Sequence, residues 1–265
     1  RFDGYTVLDL AYQKTPYMMI WCVRSDGVLL GLTYLPEHDV VGWHEHDTDG
    51  LFESVACVKE GTEHFLYAVV KRSINGRDVR YIERKRSRFF TDRADAFFVD
   101  AGSTYDGSAA TTIGGLWHLE GEEVAVLADG AEHPRCTVSG GSITLEASAS
   151  VVQIGLPITA ELETLPLTLE LPAFGQGMTK NVNEVALRLQ DTSGIEVGPS
   201  FEDADMVEVT QRSGEDYDSP PDLYNGILDV AVMPEWGYDA QLCIRQRAPL
   251  PATIASMVLK VAVGG

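Results

Sequence analysis

The sequence predicts an all-β protein, with propeller-like or meander antiparallel sheets followed by small β-barrel or sandwich modules. Three observations carry this reading. Apolar or alternating runs of strand length recur along the whole chain, Asp-Gly and Asn-Gly pairs separate many of them, and no stretch within residues 5–84 is long and periodic enough for a helix. Tyr17–Val23 is a continuous apolar run, Ser25-Asp26-Gly27 is a tight turn, and Val28–Tyr34 returns. An Asp-Gly turn between two β-rich runs is the strongest short-range hairpin signal. The pattern repeats as Val40–His46, Asp49-Gly50 and Phe52–Val58, and then as Glu63–Val70, Asn75-Gly76 and Val79–Glu83. Residues 5–84 thus read as about six short strands with Gly-containing turns.

Residues 85–112 read as a connection. It opens on Lys85-Arg-Ser-Arg88, includes a short apolar strand at Ala96–Val99, and runs into the polar stretch Asp100–Ser108, where a boundary is expected. Strands at Val124–Leu127, Ile143–Leu145 and Val151–Ile154, with turns at Asp129-Gly130 and Ser139–Gly141, suggest a small module over residues 113–156. Beyond it, Leu165–Leu171 and Val182–Leu189 alternate, so one face of each is expected to be wet. Residues 200–226 are acidic and turn-rich, a long loop by composition, and the last strands fall at 226–232, 241–245 and 254–263. The domain organisation expected is a partial propeller-like region over 1–99, a small β module over 100–156 and a sandwich-like domain over 157–265. Because the opening run 5–12 is already strand-like and the first residue is Arg1, the chain reads as a piece of a longer one.

Charge narrows the function classes. The net charge is −20, from 40 acidic and 20 basic residues. Phosphate neutralisation by a basic face supplies most duplex affinity, so a DNA-binding role for the chain as a whole is disfavoured. Solubility is the simpler account of the acidity; a surface that nucleic acid passes without sticking is the sharper one. Segment 71–93 holds nine of the Lys and Arg residues, and 191–229 holds eleven acids. The basic stretch suits either a charged hairpin edge or contact with phosphate or an acidic partner, the other segment included. No apolar run approaches the ~20 residues that span a bilayer, so no membrane insertion is expected.

Few motifs offer chemistry. Cys22, Cys57, Cys136 and Cys243 lack paired spacing and sit in apolar strands, as buried free thiols do. His44 and His46 are two apart and share a strand face, a weak metal candidate for which Asp47, Asp49 or His38 would have to supply a further ligand. An exposed polar strand end is the preferred reading there, and Trp43 is expected on the opposite face as a core anchor. Glu202, Asp203, Asp205 and Glu208 have no EF-hand spacing and read as a solvated acidic loop. No phosphate loop, nucleophile elbow or recognisable triad occurs, so no catalytic residue and no cofactor is assigned and a non-enzymatic role is expected.

A longer pattern carries more. Tyr12-Gln-x-x-x-Pro16, Ile20–Gly27, Leu29–Tyr34, Gly42-Trp-His-x-His-x-Thr-Asp-Gly50 and Glu53–Ala56 follow one another. Then come Tyr81–Glu83, Val99–Gly102, Thr104–Gly107, Gly115–Gly121, Val124–Gly130, Thr137–Leu145 and Val152–Pro157, with Gln241–Ile244 and Pro249–Ile254 closing the series. In this order the motifs resemble the phage tail nozzle family, also called tail tubular protein B, of phage and prophage tails. The resemblance implies a virion structural role in the tail. It implies a homo-oligomeric ring, commonly six-fold, beside adaptor and portal proteins, with genomic DNA leaving through the lumen. It also implies a propeller-like body with smaller β modules, assembly in the bacterial cytoplasm, and no catalytic residues. An alternative reading is a tail-tip carbohydrate- or receptor-binding module, for which Trp117, Trp236 and Tyr238 would be the stacking rings.

Overall fold

A computed structural model describes residues 2–168, 177–209 and 219–264. Among them the protein is all-β: eighteen strands in antiparallel sheets, with helical geometry confined to three short 3-10 turns. No sheet closes into a barrel, so the small modules are open sheets. None of the described helices is long and apolar enough to cross a membrane. The chain divides into two compact units, one from residues 1–90, 114–122 and 137–143, the other from 91–113, 123–136 and 144–265.

The first unit holds two meanders. Strands β1 (Val7–Gln13), β2 (Met19–Arg24), β3 (Leu29–Leu35) and β4 (Val40–His46) pair in sequence order, and so do β5 (Leu51–Glu60), β6 (Glu63–Ile74) and β7 (Arg77–Arg84). The hairpin expected at Asn75-Gly76 forms, with both residues at positive φ (51° and 71°). This is the backbone a two-residue type I′ turn needs, and Asn and Gly tolerate it best. Asp49-Gly50 behaves differently: β4 pairs with β3 and β5 with β6, so this turn passes the chain between sheets. Period-two alternation on β6 sends Leu66, Ala68 and Val70 inward, where they join Met19, Trp21, Val23, Leu29, Phe52 and Val55 in one buried cluster. Trp21 is fully buried and is the anchor of this core. Trp43, expected in that role, is half-buried on the other face of its sheet, edge-on to Phe2 at 5.2 Å. That face also leaves Leu10, Tyr12, Tyr34 and Val41 exposed, so Trp43 sits on its open part, away from the buried Cys22 and Leu30.

In the second unit, β8 (Asp100–Gly114), β9 (Glu123–Ala128), β10 (Ala131–Thr137) and β11 (Ser142–Leu156) form a sheet of order β10-β9-β11-β8. The polar run at 100–108 is therefore strand, and Ala96–Val99 is not. Strand β8 lies at the sheet edge with a largely exposed pattern, so Ser, Thr and Gly suit it; the alternation of an inward apolar face, which marks a half-buried strand, is missing. The two short strands expected over 143–154 are one long strand, β11.

Two further sheets complete this unit. β12 (Ala160–Glu163), β17 (Cys243–Gln246), β14 (Ile195–Gly198) and β15 (Val207–Glu208) make one, and β16 (Tyr224–Ala231), β13 (Thr179–Thr192) and β18 (Ile254–Gly264) make the other. They share a core of Val185, Leu187, Ile195, Val197, Val230, Leu242 and Ile244. Residues 165–168 of the run expected as a strand are irregular, and its remainder lies outside the described residues, as does part of the acidic loop.

Candidate functional site

In the first unit a cleft of about 410 Å³ gathers several ionisable groups. Trp21, fully buried, lies behind its wall, in contact with the lining residues His44, His46 and Lys85. Strand register places Ala11, Trp21, Gly31 and His44 in one row across β1–β4. Gly31 leaves a gap that the His44 ring fills: a Cβ on Gly31 would lie 2.1 Å from His44 Nε2. The ring consequently meets Trp21 edge-on, with centroids 5.8 Å apart and planes at 89°. Trp21 Nε1–H donates to Gln13 Oε1 at 2.9 Å, which satisfies the indole and holds the ring in place.

His46, two residues along the same strand, packs against the same aromatic group, tilted to Trp21 at 5.3 Å and edge-on to His44 at 4.9 Å. Its Nε2 is buried and has no hydrogen-bond partner. Burial, reinforced by Lys85, His44 and Arg88, pushes its pKa down to about 3, so it is neutral at pH 7. The Lys85 ammonium lies over the Trp21 ring, 4.4 Å from its centre. Burial and the neighbouring Arg88 lower its pKa to about 8.

Four cations of the basic hairpin leading to this point are neutralised within its own unit. Arg72 bonds both oxygens of Glu83 at 2.6 and 2.9 Å and the carbonyl of Asp49 at 2.7 Å. Lys71 pairs with Asp78, Arg80 with Glu53 and Arg84 with Glu60. Lys85 and Arg88 have no carboxylate partner among the described residues. The one acid described on the cleft wall, Glu63, accepts from Ser87 Oγ at 3.1 Å. His64 shares a 2.7 Å hydrogen bond with Thr15 Oγ1.

The shared strand face of His44 and His46 is as the spacing predicts. The rings pack on each other and on Trp21, and among the described residues no three His, Cys, Asp or Glu side chains are placed to hold a metal ion. His38 lies in an exposed 3-10 turn. In the acidic segment, Asp203 is engaged by Arg245 and Arg247, and Asp205 accepts from Ser200 Oγ at 2.7 Å. All four cysteines are free: Cys22 and Cys243 are buried, Cys57 and Cys136 half-buried. Trp117, Trp236 and Tyr238 are exposed, the first in one unit and the others in the second.

Sequence reasoning missed Lys85 as a site residue because Lys85–Arg88 reads as part of a connection. A signal was present. Among the cations before it, Lys71 reaches Asp78 and Arg72 reaches Glu83 on the neighbouring strand, whereas Lys85–Arg88 is followed by no acid until Asp92. Comparison with models of known protein families and with curated proteins finds no match to this chain.

Proposed function

We propose that the chain is a structural subunit of a bacteriophage tail, of the nozzle or tail-tubular type, which assembles with copies of itself into a ring through which DNA leaves. The observation that carries this reading is the ordered series of motifs from Tyr12 to Ile254. Two features of the structure support it. The all-β architecture of meander sheets suits a rigid building block. In the first unit, one sheet face leaves Leu10, Tyr12, Tyr34 and Val41 exposed, the kind of contiguous apolar surface that subunit contacts use. The charge of −20 is consistent with a lumen that repels DNA phosphate and so does not retard its passage. In this reading adaptor and portal proteins are its neighbours and no residue is catalytic. Mass photometry of the chain at micromolar concentration tests the assembly: rings of defined stoichiometry are expected, and a strict monomer under every condition sinks the proposal.

A second reading, a tail-tip module for carbohydrate or receptor, is favoured by the exposure of Trp117, Trp236 and Tyr238. Exposed rings of this kind stack on sugar faces. A glycan array decides it, since an array without hits removes the reading.

A further inference from the structure

Lys85 and Arg88 differ from the matched cations beside them. Acids outnumber bases two to one, and four neighbouring cations of the basic hairpin are each matched with a carboxylate. These two sit at one cleft without such a partner among the described residues, beside an imidazole nitrogen, His46 Nε2, that is buried and unbonded. Clustered cations in a partly dry recess repel one another unless a counter-charge joins them. The only acid described on the wall is turned to Ser87. The rest of the lining is largely apolar, with Met19, Leu35, Phe65 and Leu66 among it, and the space is several times what a bare ion fills.

We propose that this cleft binds an oxyanion carried on a small apolar body, with Lys85 and Arg88 meeting the charge and Met19, Leu35 and Phe65 receiving the apolar part. Trp21, fixed by Gln13, holds the Lys85 ammonium at the recess and turns its charge toward the ligand. The inference is independent of the tail reading, since it rests on this cleft alone. The low pKa of Lys85 supports it: the ammonium is short of stabilisation that an anion would supply.

The test is site-specific labelling of Lys85 in the 265-residue chain by an amine-reactive reagent at pH 7.5, read by peptide mass spectrometry, with exposed Lys59 as the internal control. Acetate, hexanoate and hexyl phosphate are the probes. Hexanoate and hexyl phosphate are expected to slow labelling of Lys85 saturably and leave Lys59 unchanged. Hexanoate should half-saturate at roughly 10-fold lower concentration than acetate, because its methylenes leave water for the apolar wall. Arg88 is exposed, so Arg88→Gln should fold normally, and it is expected to weaken protection by roughly 10-fold. Protection by the phosphate ester but not by hexanoate assigns the site to phosphate-bearing ligands and upholds the proposal. Labelling unaffected by both hexyl compounds, equal half-saturation by acetate and hexanoate, or full protection retained in Arg88→Gln would each overturn it.

Discussion

The ammonium of Lys85 stands 4.4 Å from the centre of the Trp21 ring, a residue with no solvent exposure. A cation held on an aromatic face is stabilised by the ring quadrupole, yet here burial still outweighs that gain and lowers the pKa to about 8. The folded state therefore binds the Lys85 proton less tightly than the unfolded chain. Below pH 8 both states carry the proton and the cost of burying the charge is present in full. Between pH 8 and the ordinary lysine value of about 10.4 the unfolded state holds more protons, so this group makes stability rise with pH. Cys57 acts in the opposite sense: burial raises its thiol to about 11, so its contribution is lost as pH rises toward that value. Urea midpoints across pH 7–11 for the wild type and for Lys85→Met separate the two. Lys85→Met is expected to be the more stable below pH 8, and the advantage should vanish above pH 10.5; a constant difference would exclude titration of Lys85 as its source.

His46 gives the acid limb of the same site. Its pKa of about 3 lies below the unfolded value of about 6.5, so the unfolded state takes up the proton first as pH falls. Stability contributed by the neutral ring is complete above pH 6.5 and is lost progressively down to pH 3. His46→Phe keeps a ring in the gap beside Trp21 and removes a buried nitrogen that has no partner. Its denaturation midpoint should match or exceed that of the wild type at pH 7, and its advantage should grow as pH falls from 6 to 4.

Gly31 is where the site meets the packing of the sheet. An added Cβ would fall 2.1 Å from His44 Nε2, and the His44 ring has Trp21 and His46 on either side. Gly31→Ala should therefore destabilise the first unit by about 1–3 kcal/mol, the usual cost of overpacking. Trimming the obstacle should relieve it, so in the double variant Gly31→Ala/His44→Ala the two costs should sum to less than their separate values. Chemical denaturation of the four proteins measures this coupling, and strict additivity would show that the ring has room to move.

How much of this was legible in the residues varies with the physical signal. The hairpin at Asn75-Gly76 was readable because a positive φ at two successive positions demands those residues. The shared face of His44 and His46 followed from the strand period alone. Trp43 and Trp21 look alike in sequence, and only sheet packing decides which of them is interior: β5 covers the Trp21 face, where Asp9 Oδ2 accepts from the Val55 N–H at 3.0 Å. The 100–108 part of β8 reads as a boundary in the sequence because an edge strand with both faces largely wet lacks alternation. The role proposed for Lys85 rests on its having no carboxylate partner among the described residues, which the run Lys85–Arg88 with no acid before Asp92 only hints at and which the folded arrangement makes plain.

In the second unit the acidic segment supplies structure through Arg245. This nearly buried guanidinium bonds Glu196 at 2.7 Å, the carbonyl of Phe201 at 2.9 Å and Asp203 at 2.6 Å, while Arg247 reaches the same two acids. Burial opposes the charge on Glu196, but Arg247 and Arg245 together hold its pKa below the usual value; the hydrogen bond from Arg245 does the same for Asp203. Depressed carboxyl pKa values mean stability that is present above the unfolded value, near pH 4, and lost as pH falls through the folded one. Arg245→Met fills the space but leaves Glu196 with only the exposed Arg247. Removing one member of a buried pair is destabilising, and because Asp203 is exposed and Arg247 still reaches Glu196 a lowered but not abolished denaturation midpoint is expected at pH 7. At pH 3, where the acids begin to take up protons, the difference between variant and wild type should shrink. Hydrogen exchange should show the loss in β14 and β17, the two strands that Glu196 and Arg245 join in register. A midpoint for Arg245→Met equal to that of the wild type at pH 7 would mean that the network adds specificity to the loop without adding stability to the sheet.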